Sequence, residues 1–115
     1  MSRAARALRG AASLAVAAAV AASCATLPLP FVDEAMAAVA SAQALSLEQL
    51  QRGRHLMVTN CAACHQPVHP DALAFEQWEQ VLPRMLEKSD LTPAHGADIR
   101  AYIVAVRALG ARSPQ

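Results

Sequence analysis

Two cysteines and a histidine lie close together in NCAACHQPVHP, residues 60–70, and they are the residues of this chain best suited to chemistry. Cys61 and Cys64 are separated by two alanines, and His65 follows the second cysteine directly. A thioredoxin-like redox pair needs a strand–helix–strand setting, which the surrounding sequence does not offer. A tetrahedral zinc site needs four ligands, and adding His69 would crowd them into nine residues with two adjacent. A disulfide between the cysteines would leave the histidine without a role.

A fourth chemistry uses all three residues, because C-x-x-C-H is the attachment signature of c-type haem. The sulfurs of Cys61 and Cys64 would form thioethers with the two vinyl groups, and His65 would turn under the ring as the proximal iron ligand. Residues 46–110 form a domain near the lower size limit for independent folding, and domains of this size usually need an added stabilising element such as a disulfide or a metal. We therefore predict one covalent haem c per chain and an apoprotein that is largely unfolded.

The amino-terminal segment resembles an export signal. Arg3, Arg6 and Arg9 form a basic region, and residues 11–22, AASLAVAAAVAA, form an apolar stretch shorter than a comfortable membrane span. We expect residues 1–24 to act as a signal peptide that exports the chain to a periplasm-like compartment. An amphipathic transit peptide and an uncleaved amino-terminal anchor are the alternatives.

The third cysteine, Cys24, closes the stretch AASC, residues 21–24, which resembles a bacterial lipobox. The match is imperfect because Ala21 stands where leucine is expected. Lipidation would account for an otherwise unpaired thiol in an oxidising compartment and would tether the domain to a membrane. Cleavage by ordinary signal peptidase near Ala22 or Ala25 is the alternative.

The charge balance changes sign after Cys24. The rest of the chain has seven basic and nine acidic side chains, a net charge of −2, whereas the whole chain carries +1. Only 3% of the residues are aromatic and much of the apolar content is alanine, so the hydrophobic core should be small for a chain of this length. No basic patch points to nucleic acid, and we predict no nucleic-acid partner.

The segment before the motif is expected to hold a linker and a first helix. Residues 25–45 contain two prolines and many small side chains, which is typical of a linker, with room for a short alanine-rich helix over 33–44. The domain proper begins at Ser46, where SLEQ predicts a capping box closed by Gln49. Apolar residues at helical spacing then predict a helix that runs to about Asn60.

Two more helices are predicted after the motif. The first runs from Phe75 to about Ser89, and Pro83 should kink it or break it into two short helices. The second is the clearest in the sequence, with Thr92 as its N-cap, Pro93 at its first position and Gly110 at its end.

No segment shows strand alternation with hairpin turns, so the predicted fold class is all-α. Nothing in the sequence repeats, and the length allows one domain. The chain therefore divides into a signal peptide (1–24), a linker (25–45), a haem domain (46–110) and a tail (111–115).

The helices that flank the cysteine motif resemble those of the class I cytochromes c. In that family the amino-terminal helix carries a glycine eight residues before the first cysteine and a large apolar residue four before it, which are Gly53 and Met57 here. The family's last helix carries a motif like LIAYL, and IRAYI at residues 99–103 is similar. The resemblance covers roughly residues 47–109 and implies a small class I cytochrome c-like fold, with the two helices crossing around one haem.

The resemblance also implies particular contacts. The glycine would let the two helices approach closely, so Gly53 and Met57 should pack against Ile99, Tyr102 and Ile103. Ordinary helix packing would predict nearly the same contacts. The chain is short between the motif and the last helix, and in this it also resembles small bacterial haem domains with the pattern CxxCH, then Trp, then Met.

A six-coordinate iron needs a distal ligand, and the chain offers six candidates: Met36, Met57, Met85, His55, His69 and His95. Met85 is preferred because it comes twenty residues after His65 and follows Pro83 among apolar neighbours. A thioether ligand favours reduced iron and raises the reduction potential. Trp78 lies two helical turns earlier on the same face and should pack on the haem edge or its propionates. For both Trp78 and Met85, plain core packing is the alternative.

A closed six-coordinate haem has no open position for a substrate, so we expect an electron carrier rather than an enzyme. Its partners would be periplasmic or membrane redox proteins, reached by a domain on a mobile lipid tether. A vacant or displaceable distal site would instead make a haem protein that binds small gases. A lipoprotein with a disulfide and a structural role is the alternative without haem.

Overall fold

The computed structural model describes residues 27–112, and every regular element in that range is helical. Four α-helices follow one another along the chain: α1 Glu34–Ala42, α2 Leu47–Thr59, α3 Phe75–Lys88 and α4 Pro93–Arg112. Two single turns of 3-10 helix, Cys61–Ala63 and Pro70–Ala72, lie between α2 and α3. The described residues contain no strand, so the predicted all-α fold class is confirmed.

Two of the predicted helix starts are confirmed by hydrogen bonds. Ser46 Oγ accepts from the N–H of Gln49 at 3.1 Å where α2 begins. At the start of α4, Thr92 Oγ1 accepts from the N–H of His95 at 3.2 Å, and His95 Nδ1 accepts from the N–H of Thr92 at 3.1 Å. Such bonds satisfy amide donors that the first helical turn leaves unpaired. The imidazole therefore takes the place that Glu or Gln usually has in a capping box.

The most extensive helix–helix interface joins α2 to α4, and the two helices meet at Gly53. A Cβ atom at this position would lie 2.7 Å from the carbonyl carbon of Asp98 and 2.9 Å from Cβ of Tyr102, so only glycine permits the approach. The other residues of the predicted crossing are buried in the same core: Met57, Ile99, Tyr102 and Ile103. The prediction that Gly53 lets these two helices approach closely is confirmed.

Two helices continue past residues that were expected to interrupt or end them. α3 runs through Pro83 as one helix, so the chain does not break into two helices there, and the alternative outcome, a kink, stays a prediction. The proline leaves the carbonyl of Glu79 without its intrahelical donor, but both residues are exposed and water can solvate that oxygen. α4 passes Gly110 and reaches Arg112, so the predicted end at Gly110 is wrong. That glycine does not adopt the positive φ that ends many helices.

The segment that the sequence places in a linker packs against the rest of the described chain. Asp33 Oδ1 caps α1 by accepting from the N–H of Met36 at 3.0 Å. The helix turns its buried residues toward α4: Met36, Val39 and Ala40. Their spacing makes one narrow apolar stripe, which the many alanines of this segment hide in the sequence.

Two side chains tie the segment before α1 to the core. Arg54 Nε and the Tyr102 hydroxyl both donate to the carbonyl oxygen of Pro30, at 2.9 and 2.6 Å. Arg54 Nη2 also donates to the carbonyl of Leu29 at 3.4 Å, and its guanidinium lies 4.2 Å from the centre of the Phe31 ring. Burial raises the pKa of Tyr102 to about 12, although the nearby Arg54 acts in the opposite direction. The packed part of the chain therefore begins at Leu29, which is itself buried.

Candidate functional site

The cysteine motif begins where α2 ends. Asn60 keeps helical backbone angles, and its N–H donates to the carbonyl of Leu56 at 2.9 Å. The last turn of the helix therefore leads directly into the 3-10 turn Cys61–Ala63. Because α2 is fixed against α4, the helix sets the direction in which the motif leaves the core.

Both cysteines of the motif carry free thiols. Cys61 is half-buried and packs against the core, whereas Cys64 is exposed. Burial raises the pKa of the Cys61 thiol, which keeps it protonated at neutral pH. The structure thus holds two unpaired thiols at a single 3-10 turn, one on its first residue and one on the residue that follows it, and each thiol could form one thioether bond.

The imidazole of His65 is exposed directly after the second thiol. Its Nδ1 lies 2.8 Å from the carbonyl oxygen of Gln66. A ring nitrogen that faces a carbonyl donates its N–H, which leaves the lone pair on Nε2. Nε2 is therefore the nitrogen of His65 that is prepared to bind a metal.

Residues 66–74 follow the motif and form the motif loop, and two side chains from α3 and α4 donate to its carbonyl oxygens at positions 70 and 73. At its end, the N–H of Ala74 donates to Gln77 Oε1 at 2.8 Å. The indole N–H of Trp78 donates to the carbonyl oxygen of Pro70 at 2.9 Å. Arg107 Nη1 donates to the same oxygen at 3.1 Å and to the carbonyl of Leu73 at 2.6 Å. The sequence pointed to Trp78 but not to Arg107, because a single arginine on the last helix gives no local signal.

Trp78 is 6% exposed, and its one donor is already used by the motif loop. A contact between this side chain and haem would therefore involve the ring rather than the N–H. The predicted packing of Trp78 on the haem edge stays a prediction, whereas a hydrogen bond from the indole to a propionate would require the bond to Pro70 to break.

The apolar face of α3 is covered only in part. Trp78 and Leu82 are buried, whereas the other large apolar residues of the helix stay partly exposed: Phe75, Val81, Met85 and Leu86. α3 also contacts α4 far less extensively than α2 does. An apolar group that lay against this face would cover such side chains.

The methionine candidates for the distal ligand differ in their access. Met36 is fully buried and Met57 is 2% exposed, and both lie inside the core. Met85 is half-buried on α3, the helix that holds the motif loop through Trp78. Among these three sulfurs, that of Met85 is the accessible one, and its ligation of iron stays a prediction.

Two of the three histidine candidates already have structural partners. His69 Nδ1 accepts from the N–H of Asp71 at 3.2 Å and caps the second 3-10 turn. His95 Nδ1 closes the capping box of α4. His55 is exposed on α2, where it and His95 line a groove of about 430 Å³.

The described part of the chain, residues 27–112, gathers no group of three or more His, Cys, Asp or Glu side chains that could hold a metal ion. A groove of about 580 Å³ lies between α3 and the start of α4 and is lined by apolar residues such as Leu82 and Leu86. Cys61, Cys64 and His65 line neither this groove nor the smaller one.

The predictions for the amino terminus lie outside the described residues. These are the signal peptide over residues 1–24 and the lipidation of Cys24. From residue 27 to residue 112, no helix combines the length and the apolar character that crossing a membrane requires.

Comparisons with family models, with curated proteins and with solved structures give no match to this chain. The resemblance to the class I cytochromes c therefore depends on the residues of the chain itself. These are the motif at residues 61–65 and the helix crossing at Gly53.

Proposed function

We propose that this chain is an electron-transfer protein with one c-type haem attached through Cys61 and Cys64, and with His65 as the proximal iron ligand. The observation that carries the proposal is the arrangement of these groups at the end of α2. One free thiol is on the first residue of a 3-10 turn, the other is on the residue after the turn, and an exposed imidazole follows directly. A C-x-x-C-H attachment site uses every one of these groups.

Each residue of the motif has a separate part in holding the cofactor. Cys61 and Cys64 would each hold the haem by a thioether, in which the sulfur adds to one carbon of a vinyl group and the S–H hydrogen goes to the other carbon. The carbonyl of Gln66 accepts from Nδ1 of His65, so that Nε2 keeps the lone pair that a metal needs. The bound haem supplies a reversible one-electron couple between Fe(II) and Fe(III).

A small class I cytochrome c-like fold is the finer architecture that we infer. The close crossing of α2 and α4 at Gly53 supports it, because the resemblance to that family predicts this crossing. The position of the motif at the end of α2 supports it as well. The partly exposed apolar side chains of α3 would then cover the ring, with Trp78 packed beside it.

Met85 is our proposed distal ligand. Its sulfur is on the partly covered face of α3, whereas Met36 and Met57 are enclosed in the core. The side chains of His69 and His95 already serve as helix caps. A thioether opposite His65 would close the sixth position, favour Fe(II) and raise the reduction potential.

A closed iron site transfers electrons without binding a substrate, so we infer a carrier rather than an enzyme. Periplasmic or membrane redox proteins are its expected partners. The export signal over residues 1–24 and a lipid tether through Cys24 complete the proposal, and they are supported by sequence alone.

The attachment is tested by expressing the full chain in a bacterium with haem-attachment machinery. We expect a haem stain that survives a denaturing gel, and an intact mass above that of the peptide with any lipid. Cys61→Ser combined with Cys64→Ser should lose both signals. A wild-type chain that has only its peptide mass plus any lipid would overturn the proposal.

Carbon monoxide separates the carrier from a protein that binds small gases. A carrier closed by Met85 should give a sharp low-spin spectrum when reduced, and CO should leave that spectrum unchanged. Rapid CO binding would show that the distal position is vacant or displaceable, which is the gas-binding alternative.

A further inference from the structure

The motif loop depends on Arg107 for two of its carbonyl groups. The oxygens of Pro70 and Leu73 accept from the same nitrogen of this arginine, at 3.1 and 2.6 Å. The indole of Trp78 supplies a second donor to Pro70 only. Pro70 is among the most deeply buried residues of the chain, so its carbonyl has little access to water as a substitute partner.

The loop has few hydrogen bonds of its own that could replace these donors. Prolines at positions 67 and 70 have no N–H to donate. Its internal bonds are local: the N–H of Ala72 donates to the carbonyl of His69 at 2.9 Å, and Asp71 donates to the ring of His69. Contacts with α3 and α4 therefore decide where the loop lies.

The loop leaves the motif through Gln66, whose carbonyl accepts from the His65 ring. Four residues separate His65 from the anchored Pro70, which limits how far the backbone between them can shift. We propose that Arg107 is a positioning residue of the haem site: by holding the motif loop on α4, it fixes the orientation of the His65 imidazole. This inference rests on the proposed attachment of haem at that motif.

Substitution of Arg107 by lysine separates a positioning role from a purely electrostatic one. Both acceptors of Arg107 are neutral carbonyl oxygens, so its geometry matters as well as its charge. Lysine keeps the positive charge, but its side chain is one bond shorter and its N–H groups are not held in the plane that directs both N–H groups of Arg107 Nη1 at the two carbonyls. Arg107→Lys should therefore resemble Arg107→Met if the role is positioning, and resemble the wild type if the role is charge alone.

Arg54→Met is a matched control, because it also removes an arginine that donates to two backbone carbonyl groups. Like Arg107, Arg54 is half-buried, and its two acceptors are neighbouring carbonyls, those of Pro30 and Leu29. It anchors the segment before α1 rather than the motif loop. Arg54→Met should lower stability in the same way but leave the orientation of His65 unchanged.

The experiment uses the holoprotein of the full chain and the variants Arg107→Lys, Arg107→Met and Arg54→Met. We expect amide hydrogen exchange in the motif loop to become about tenfold faster in both Arg107 variants, because each loses bonds from a charged donor. The haem-methyl NMR shifts of the ferric protein should change in both, since they report the orientation of the axial imidazole. The reduction potential should fall in both as water reaches the loosened site. Arg54→Met should leave all three readouts at wild-type values.

Four results would overturn the inference. If Arg107→Lys kept the wild-type haem-methyl shifts and reduction potential, the role of Arg107 would be one of charge alone. If Arg54→Met changed the readouts as much as the Arg107 variants do, the effect would come from a general loss of stability. If all three readouts were unchanged in every variant, the positioning role of Arg107 would be excluded, and the proposed function would still stand. Absence of covalent haem from the wild type would remove both proposals. Should Arg107→Met fail to fold, the comparison of Arg107→Lys with Arg54→Met on the same three readouts still decides the role of Arg107.

Discussion

Tyr102 is the single tyrosine of the chain, and its buried hydroxyl donates to the carbonyl of Pro30 at 2.6 Å. Burial raises the pKa of this phenol from its usual 10.0 to about 12. The folded state therefore holds the proton more tightly than the unfolded state. Below pH 10 both states are protonated and the group makes no difference, whereas the free energy of unfolding should fall by about 2–3 kcal/mol as the pH rises from 10 to 12.

A tyrosine labelled with ¹³C at Cζ gives one NMR signal that reports this titration directly. Tyr102→Phe should remove the corresponding part of the alkaline loss of stability, measured by denaturant unfolding at several pH values. At pH 7 the same variant should lose only about 1 kcal/mol, because Arg54 still donates to the Pro30 carbonyl. A folded-state titration midpoint near 10 would contradict the prediction.

The distal assignment is tested by removing sulfur without changing volume. Met85→Leu should abolish the near-infrared sulfur–iron charge-transfer band of the ferric holoprotein, whereas Met36→Leu should keep it because Met36 is fully buried in the core. Both substitutions conserve volume and should lower the free energy of unfolding by less than about 1.5 kcal/mol. A band that survives in Met85→Leu would exclude this sulfur and point to another methionine, whereas absence of the band from the wild type would direct attention to His69 and His95.

Some residues of the candidate site can be found from the sequence, whereas others are found only from the structure. The two thiols and the imidazole are contiguous, so their chemistry can be inferred from residues 61–65 alone. Arg107 lies 37 residues from the Pro70 carbonyl to which it donates. Nothing in its own neighbourhood distinguishes it from an arginine in solvent, and only the packing of α4 on the motif loop reveals it.

At the scale of the elements, the crossing of α2 and α4 depends on one missing side chain. Gly53→Ala would press a methyl group against the backbone of Asp98 and Cβ of Tyr102, and neither can move without shifting α4. Alanine would favour an isolated helix by about 1 kcal/mol, but the clash should outweigh that gain. We expect a net loss of about 2 kcal/mol or more in the free energy of unfolding.

Gly96 in α4 is the matched control, because it is another buried helical glycine with a close neighbour. Its added Cβ would meet Leu86 Cδ1 at 2.5 Å, and that atom is the end of a flexible side chain. Gly96→Ala should therefore change stability by no more than about 1 kcal/mol in guanidinium unfolding followed by circular dichroism. Equal losses in the two variants would show that the crossing tolerates adjustment.

Local and tertiary signals explain which elements the sequence predicted. Ser46 and Thr92 cap their helices through bonds to residues three positions away, so the pattern is visible in the sequence. α3 does not break at Pro83, because solvent can satisfy the exposed carbonyl of Glu79, and α4 does not end at Gly110, because that glycine does not adopt a positive φ. The short alanine-rich helix that the sequence allowed over 33–44 is present as α1. Its packing against α4 could not be predicted, because the periodicity of an alanine-rich stretch does not show which face is buried.

In the whole molecule, the packed part of the chain begins closer to the amino terminus than the predicted start of the domain at Ser46. Leu29 is buried and its carbonyl accepts from Arg54, so no more than the four residues 25–28 separate Cys24 from the packed chain. Four residues span at most about 14 Å. A lipid at Cys24 would therefore hold the domain close to the membrane surface, rather than on the long mobile tether expected from a linker over 25–45.

The contribution of the amino-terminal segment to stability follows from the burial of Met36. This side chain is fully enclosed, so Met36→Ala in the full-length holoprotein should lower the free energy of unfolding by about 2–5 kcal/mol. Leu27→Ala is the matched control in the same segment: Leu27 is 73% exposed, and its truncation should change stability by no more than about 0.5 kcal/mol. Guanidinium unfolding of both variants at one pH gives the comparison. A Met36→Ala variant as stable as Leu27→Ala would mean that α1 rests on the domain without supporting it, and residues 46–110 with their haem would then be the cooperative unit.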